Sequence, residues 1–267
     1  MVTGLLARLV AAAERQTARR RARISPGELD RRVAAAPPPR DLVAALAAPG
    51  LSVIAELKPR SPVKGPLTGD YQPVERALAY VRGGAAALSV LTHEEGFGGR
   101  VEDLAAVRAH VGVPLVRKDF VVDEFQVREA RAAGADAVLL IVAALTPRRL
   151  AELTEQVHRL GMTALVEVHD AAEARTALAA GARVIGVNHR DLRDFTLHRD
   201  LTARLRPLVG AGRPLVAESG VRGPRDAGRL YGEGADAVLV GETLMRSADP
   251  AAAVRALARA TALPRTP

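Results

Sequence analysis

The stretch LVRKDF, residues 115–120, ends an apolar run on a lysine in a chain that otherwise takes its positive charge from arginine. Among 38 basic residues, only Lys58, Lys64 and Lys118 are lysines. Arginine stays protonated in a protein, whereas lysine can release its proton when its surroundings lower its pKa. Lys118 is therefore a candidate for proton chemistry. Apolar neighbours and a second cation at Lys58 are expected to lower its pKa, with Glu56 and Glu218 limiting the fall. Other polar groups end apolar runs in the same way: Glu56 and Lys58, Glu167, Glu218, and Asn188. Buried strand positions rarely carry charge unless it is paired or used. Residues two apart on a strand share a face, so Glu56 and Lys58 point the same way.

Two further stretches suit an anion. ESG (218–220) and VGE (240–242) place small residues where strands pass to helices, and backbone N–H groups at such turns bind phosphate. Phe97 and Phe120 also fall just past strand ends and can line a flat apolar pocket.

The elements that must position these groups are legible as a repeat. GGAAALSVLT (83–92), AGADAVLLIVAALT (133–146), AGARVIGVN (180–188) and EGADAVLVGETL (233–244) each read as a helix end, a glycine cap and a short buried strand. Between them lie SVIAELK (52–58), PLVRKD (114–119), TALVEV (163–168) and PLVAESG (214–220). Segments with helical periodicity, such as 124–133, 147–160, 171–180 and 222–232, separate the two sets. Eight βα units without a long break predict an α/β fold, a closed (β/α)8 TIM barrel, whose C-terminal strand ends form the mouth. No GxGxxG follows the first strand, which argues against a doubly wound dinucleotide fold.

Before the barrel, AAAPPPRD (34–41) marks a Pro-rich joint. Residues 1–45 read as an N-terminal helical extension within a single domain spanning 1–267. The net charge is +8, and +6 of it lies in residues 1–40, where nine arginines face Glu14, Glu28 and Asp30. RQTARRRARIS has the composition of a phosphate-binding arm, but also of one charged helix face, and the period at Leu5, Leu9, Val10 and Ala13 favours a docked helix. The start does not read as a secretory signal, because its charges follow the apolar residues. Without cysteine there is no disulfide or thiolate chemistry, which suits the cytoplasm. The six histidines form no close ligand pair, so no metal is expected. No apolar run approaches the ~20 residues of a membrane span.

VIAELKPRSPVKG, VRKDFVVDEFQV, ADAVLLIVAAL, LVEVHD, IGVNHRDL, VAESGV and VGETLMR, in this order, resemble the motifs of the indole-3-glycerol phosphate synthase family. The resemblance spans almost the whole chain. It implies a cofactor-independent (β/α)8 enzyme of tryptophan biosynthesis. That enzyme closes the ring of 1-(2-carboxyphenylamino)-1-deoxyribulose 5-phosphate with loss of CO2 and water. It further implies Lys118 as the general acid on the ribulose carbonyl oxygen and Glu167 as the acid–base partner in dehydration. Lys58 would hold the anthranilate carboxylate, while Glu56, Asn188 and Glu218 would position substrate and tune the lysines. Ser219, Gly220, Gly241 and Glu242 match the phosphate turns, and Ser61 and Arg190 match polar contacts. Pro62, Phe97, Phe120, Leu139 and Leu192 match the aromatic-ring pocket.

Pro59-Arg60, His189 and TGDY (68–71) depart from the usual pattern and leave room for a copy serving a tryptophan-derived secondary pathway. Another phosphate-binding barrel enzyme is the nearest rival, but phosphoribosylanthranilate isomerases work with a cysteine that this chain lacks. The expected partner is a phosphorylated small molecule, with no nucleic acid and no membrane, and the expected state is a monomer or weak homo-oligomer.

Overall fold

A computed structural model describes residues 4–62, 64–191 and 196–261. Three helices come first: α1 (Gly4–Arg21), α2 (Pro26–Ala35) and α3 (Leu42–Leu46). Strand β1 (Ser52–Leu57) opens the barrel and leads into a small hairpin of β2 (Arg60–Ser61) and β3 (Gly65–Pro66). Then follow α4 (Pro73–Arg82), β4 (Ala87–Leu91), α5 (Val101–Arg108), β5 (Leu115–Lys118), α6 (Glu124–Ala132) and β6 (Ala137–Ile141). Next come α7 (Pro147–Arg159), β7 (Thr163–Val168), α8 (Ala171–Ala179), β8 (Val184–Asn188) and α9 (Leu201–Val209). The chain continues through β9 (Leu215–Glu218), α10 (Pro224–Gly232), β10 (Ala237–Val240), α11 (Glu242–Met245) and α12 (Pro250–Ala258). β1, β4, β5, β6, β7, β8, β9 and β10 pair in parallel and close into the expected barrel.

The repeat in the sequence has a structural counterpart. Asp136 accepts the Leu115 N–H at the start of β5 and pairs with Arg108 from the helix before it. Asp236 accepts the Leu215 N–H at the start of β9 and pairs with Arg206 in the same way. Each aspartate follows a glycine with φ near 90°, 85° at Gly134 and 96° at Gly234. A Cβ at either glycine would lie 2.6 or 2.7 Å from that arginine's stem. Glycine is required there by backbone hand and by space.

Strand alternation and register sort the interior into layers from alternate strands. Ile54, Val116, Leu165 and Val216 make one apolar layer, from β1, β5, β7 and β9. Two residues further along the same four strands stand Glu56, Lys118, Glu167 and Glu218. The charges therefore form the next layer contributed by those strands, at their C-terminal ends. Below, Leu42 and Leu46 of α3 pack with Ile54, Ala87 and Ala137. Arg40 ties the Pro-rich joint to the carbonyls of Val111 and Val113 beneath β5.

Helix α1 lies against the mouth. Leu6, Leu9, Ala12 and Ala13 are buried, and its arginines pair with loop and helix carboxylates: Arg15 with Glu95, Arg20 with Glu94 and Glu129, Arg21 with Asp123. Arg20–Glu129 is partly buried, but the exposed pairs contribute about 0–1 kcal/mol each, against roughly 1.5–3 kcal/mol for a buried leucine side chain. The leucines thus decide the docking, and the arginines set its orientation. No helix among the described residues is long and apolar enough to cross a membrane.

Candidate active site

One cavity of about 500 Å³ opens at the C-terminal ends of the barrel strands. All three lysines of the chain line it. At its centre the Lys118 Nζ sits 3.0 Å from Glu167 Oε2 and 2.9 Å from Glu218 Oε2. Lys58, just past the end of β1, lies 2.5 Å from Glu56 of the same strand. Asn188 donates to Glu167 Oε1 at 3.1 Å, and its own carbonyl oxygen accepts from Ser219 Oγ and the Arg190 N–H. Lys118, Glu167, Glu218 and the end of β8 are thereby joined into one network, beside the Lys58–Glu56 pair.

These contacts reverse the expectation for Lys118. Burial alone would lower its pKa, but Glu167, Glu218 and Glu56 together outweigh burial and raise it. The lysine is held protonated, the form a general acid needs at the outset. The two carboxylates that share it diverge. Glu218 is pushed up to about 7 by burial, with Glu167 and Glu56 adding to the rise against the pull of Lys118. Its Oε1 has no hydrogen-bond partner. Glu167 is also buried, yet Lys118, His169 and Asn188 bring it down to about 2.

Room for this cage comes from two glycines, Gly186 on β8 and Gly241 just past β10. A Cβ at Gly186 would lie 2.3 Å from Glu218 Oε1, and one at Gly241 2.3 Å from Glu56 Oε1. Any other side chain would drive a carboxylate out of place.

Of the residues assigned from sequence, Ser61, Pro62, Phe97, Phe120, Leu139 and Arg190 line the same cavity, as do Ser219, Gly220, Gly241 and Glu242. Leu192 lies outside the described residues. Phe97 and Phe120 sit with centroids 6.2 Å apart, and the buried His93 meets both edge-on. The turn at 219–220 lies between β9 and α10, and left-handed backbone builds it, with φ of 67° at Ser219 and 78° at Gly220. Such a conformation costs roughly 1–2 kcal/mol at a non-glycine residue. Gly241 precedes the four-residue α11, and Thr243 Oγ1 donates to Val221 O, tying the two turns together. The Glu242 carboxylate faces Lys64 at 2.7 Å and Arg246 at 3.3 Å, so only its backbone N–H remains suited to an anion.

Sequence reasoning missed several supports. Arg117, fully buried behind β5, binds Asp119, Glu129, Thr92 and the Gln126 carbonyl. That network anchors the strand end carrying Lys118. The R-K-D spacing was its signal, since Arg117 and Asp119 share the face opposite Lys118. His169 Nε2 stands 3.5 Å from Glu167 Oε1. His189, a departure in the sequence, is a buried clamp: its Nδ1 bonds the Glu218 carbonyl and its Nε2 bonds Thr202 Oγ1. Burial lowers its pKa, so the neutral ring donates from Nδ1 and accepts at Nε2.

The family model for indole-3-glycerol phosphate synthase matches residues 6–257. The chain belongs to the indole-3-glycerol phosphate synthase family. It is 62% identical over 256 residues to indole-3-glycerol phosphate synthase 2 of Streptomyces coelicolor, covering 96% of this chain and 99% of that one. It is 54% identical to indole-3-glycerol phosphate synthase of Saccharopolyspora erythraea, covering 90% and 89% of the two chains. Among solved structures, 3-hexulose-6-phosphate synthase superposes with a TM-score of 0.61 at 18% identity, over 79% of this chain and 99% of that one. That likeness speaks to the barrel alone.

Proposed function

We propose that this mouth performs the family's reaction, the decarboxylating and dehydrating closure of 1-(2-carboxyphenylamino)-1-deoxyribulose 5-phosphate to indole-3-glycerol phosphate, as a carboxy-lyase of tryptophan biosynthesis. The observation that carries the reading is the position of Lys118, protonated between two carboxylates in a cavity with an aromatic flank and paired turns. In this reading the substrate phosphate lies against the 219–220 and 241–242 turns, and its aromatic ring against Phe97, Phe120, Pro62 and Leu139. Lys58 holds the anthranilate carboxylate.

Lys118 then gives a proton to the ribulose carbonyl oxygen as the ring carbon bearing that carboxylate attacks the carbonyl carbon. Loss of CO2 returns its bonding electrons to the ring system. The new hydroxyl leaves as water, with Glu167 serving as the acid–base group. Glu56, Asn188 and Glu218 hold the lysines and the substrate in register, and Ser61 and Arg190 supply further polar contacts. The proton steps need no cofactor or metal. The reading includes a cytoplasmic setting and a phosphorylated small molecule as partner, with neither nucleic acid nor membrane.

The test is direct. The chain contains no tryptophan, so indole fluorescence will rise over a low protein background when the ribulose phosphate is added. No fluorescent product from folded protein at saturating substrate would sink the assignment.

A further inference from the structure

His169 follows β7 two residues after Glu167 and just ahead of α8. Glu173, in the first turn of α8, accepts hydrogen bonds from both the His169 backbone N–H at 2.8 Å and the ring Nδ1 at 3.1 Å. Asp170 in turn caps the Glu173 N–H at 2.8 Å, so the helix start fixes Glu173. With Nδ1 donating to Glu173, the other ring nitrogen is aimed at Glu167 Oε1, 3.5 Å away, and has no hydrogen-bond partner. On its far side Glu167 meets Lys118 through Oε2.

We propose that Glu173 and His169 form a positioning pair that holds the Glu167 carboxylate ionised and turned toward Lys118. The proposal rests on the synthase reading above, because it assigns the pair its purpose there. The imidazole touches no reacting atom and acts through Glu167. A purely structural alternative exists, in which Glu173 merely caps the start of α8 and His169 fills space.

Charge bears on the choice. The groups facing His169 are Glu173 from α8, Glu167 from its own strand end and Glu218 from β9, with Lys118 of β5 beyond Glu167. Burial lowers the imidazole pKa, but the three carboxylates outweigh burial and raise it. The shift favours the imidazolium form, which can donate from both nitrogens at once. Removing that cation takes away one of the influences keeping Glu167 ionised, so Glu167 would titrate at higher pH.

The experiment measures kcat and KM against pH for the full chain and for the His169→Gln and Glu173→Gln variants. In parallel, the His169 ring signal is followed by NMR in wild type, Glu173→Gln and Glu167→Gln, without substrate. In His169→Gln, kcat should fall by between about 10-fold and 10²-fold, the range of a misplaced catalytic group. KM should change far less, and the acid limb of kcat should move to higher pH. Glu173→Gln should show a smaller effect of the same sign and a lower His169 pKa. A capping role alone would lower thermal stability and leave the pH profile in place. A folded His169→Gln with wild-type kcat and acid limb overturns the proposal, as does a His169 titration unmoved by both glutamate substitutions. If the wild type makes no product, the synthase reading fails instead, and the NMR titrations still decide whether the pair is coupled to Glu167.

Discussion

At the scale of single residues, the contrast between lysine and arginine carried the most information. Arginine serves everywhere but at 58, 64 and 118, from the α1 pairs to fully buried Arg117, so charge alone does not require lysine at 118. Lys118→Arg should leave the circular dichroism spectrum intact and lower kcat by about 10²-fold or more, the usual yield of a positioned proton donor. The guanidinium keeps its proton and is too long and planar to sit between Glu167 and Glu218. Turnover within a few-fold of wild type would make Lys118 an electrostatic anchor only. A second prediction concerns Glu218. Its carboxyl titrates near 7 when folded and near about 4.3 when unfolded, so between those values the native state holds more protons. Stability from this group is full below the unfolded value and is lost as pH rises through the folded one. Glu218→Gln removes that slope, so from pH 5 to 8 the variant should gain in Tm relative to wild type. His169 is also raised, in part by Glu218, so Glu218→Gln reduces its shift as well and adds to the difference with the same sign. A difference in Tm that stays flat across this range would contradict the assignment. The direction of the Lys118 shift was not legible beforehand: the sequence reveals that Lys118 has carboxylate company, but only the 2.9 and 3.0 Å distances make that company outweigh burial.

At the scale of elements, Gly186 explains why one strand can bring a carboxylate to the barrel axis. Gly186→Ala adds one methyl group 2.3 Å from Glu218 Oε1, inside van der Waals contact. The strand backbone accommodates alanine, so the substitution should act through Glu218, lowering kcat while the barrel still folds. Gly112→Ala, with nothing within 4 Å, is the matched control. Equal kcat in the two variants would show that Glu218 has slack. The eight strands and their order were readable because parallel buried strands are continuous apolar runs and because the Gly-Ala-Asp unit recurs. The charged strand ends were readable for the opposite reason, as exceptions to those runs. Gly186, His169 and Glu173 were not, because their meaning depends on which atoms a neighbouring strand or helix brings alongside. In IGVN a glycine looks like a weak point in a strand. Only the register of β8 against β9 turns it into space for a side chain.

At the scale of the whole molecule, the basic charge of the first 40 residues has an internal destination. Arg15, Arg20 and Arg21 pair across the mouth, Arg128 pairs back to Asp30, and Leu5 and Leu9 of the same extension line the cavity. Two places on the molecule therefore compete as anion sites, the arginine-bearing face of α1 and the turns at 219–220 and 241–242. Inorganic phosphate separates them, because a ligand that binds only the native state raises stability by an increment that grows with its concentration, about 2.7 kcal/mol at 100 times Kd. Wild type should gain Tm with millimolar phosphate. Gly220→Ala should lose most of that gain: the residue sits at φ 78°, where a side chain is strained, and its Cβ would lie 2.9 Å from Leu197 Cδ2, so the turn or Leu197 must shift. Its lower starting Tm does not matter, since the quantity read is the phosphate-dependent increment within each protein. Arg19→Gln and Arg23→Gln, on and just past α1, should leave the increment unchanged. If instead the increment survives Gly220→Ala and disappears with the arginine substitutions, the anion belongs to the extension, and the turns lose their place in the substrate site.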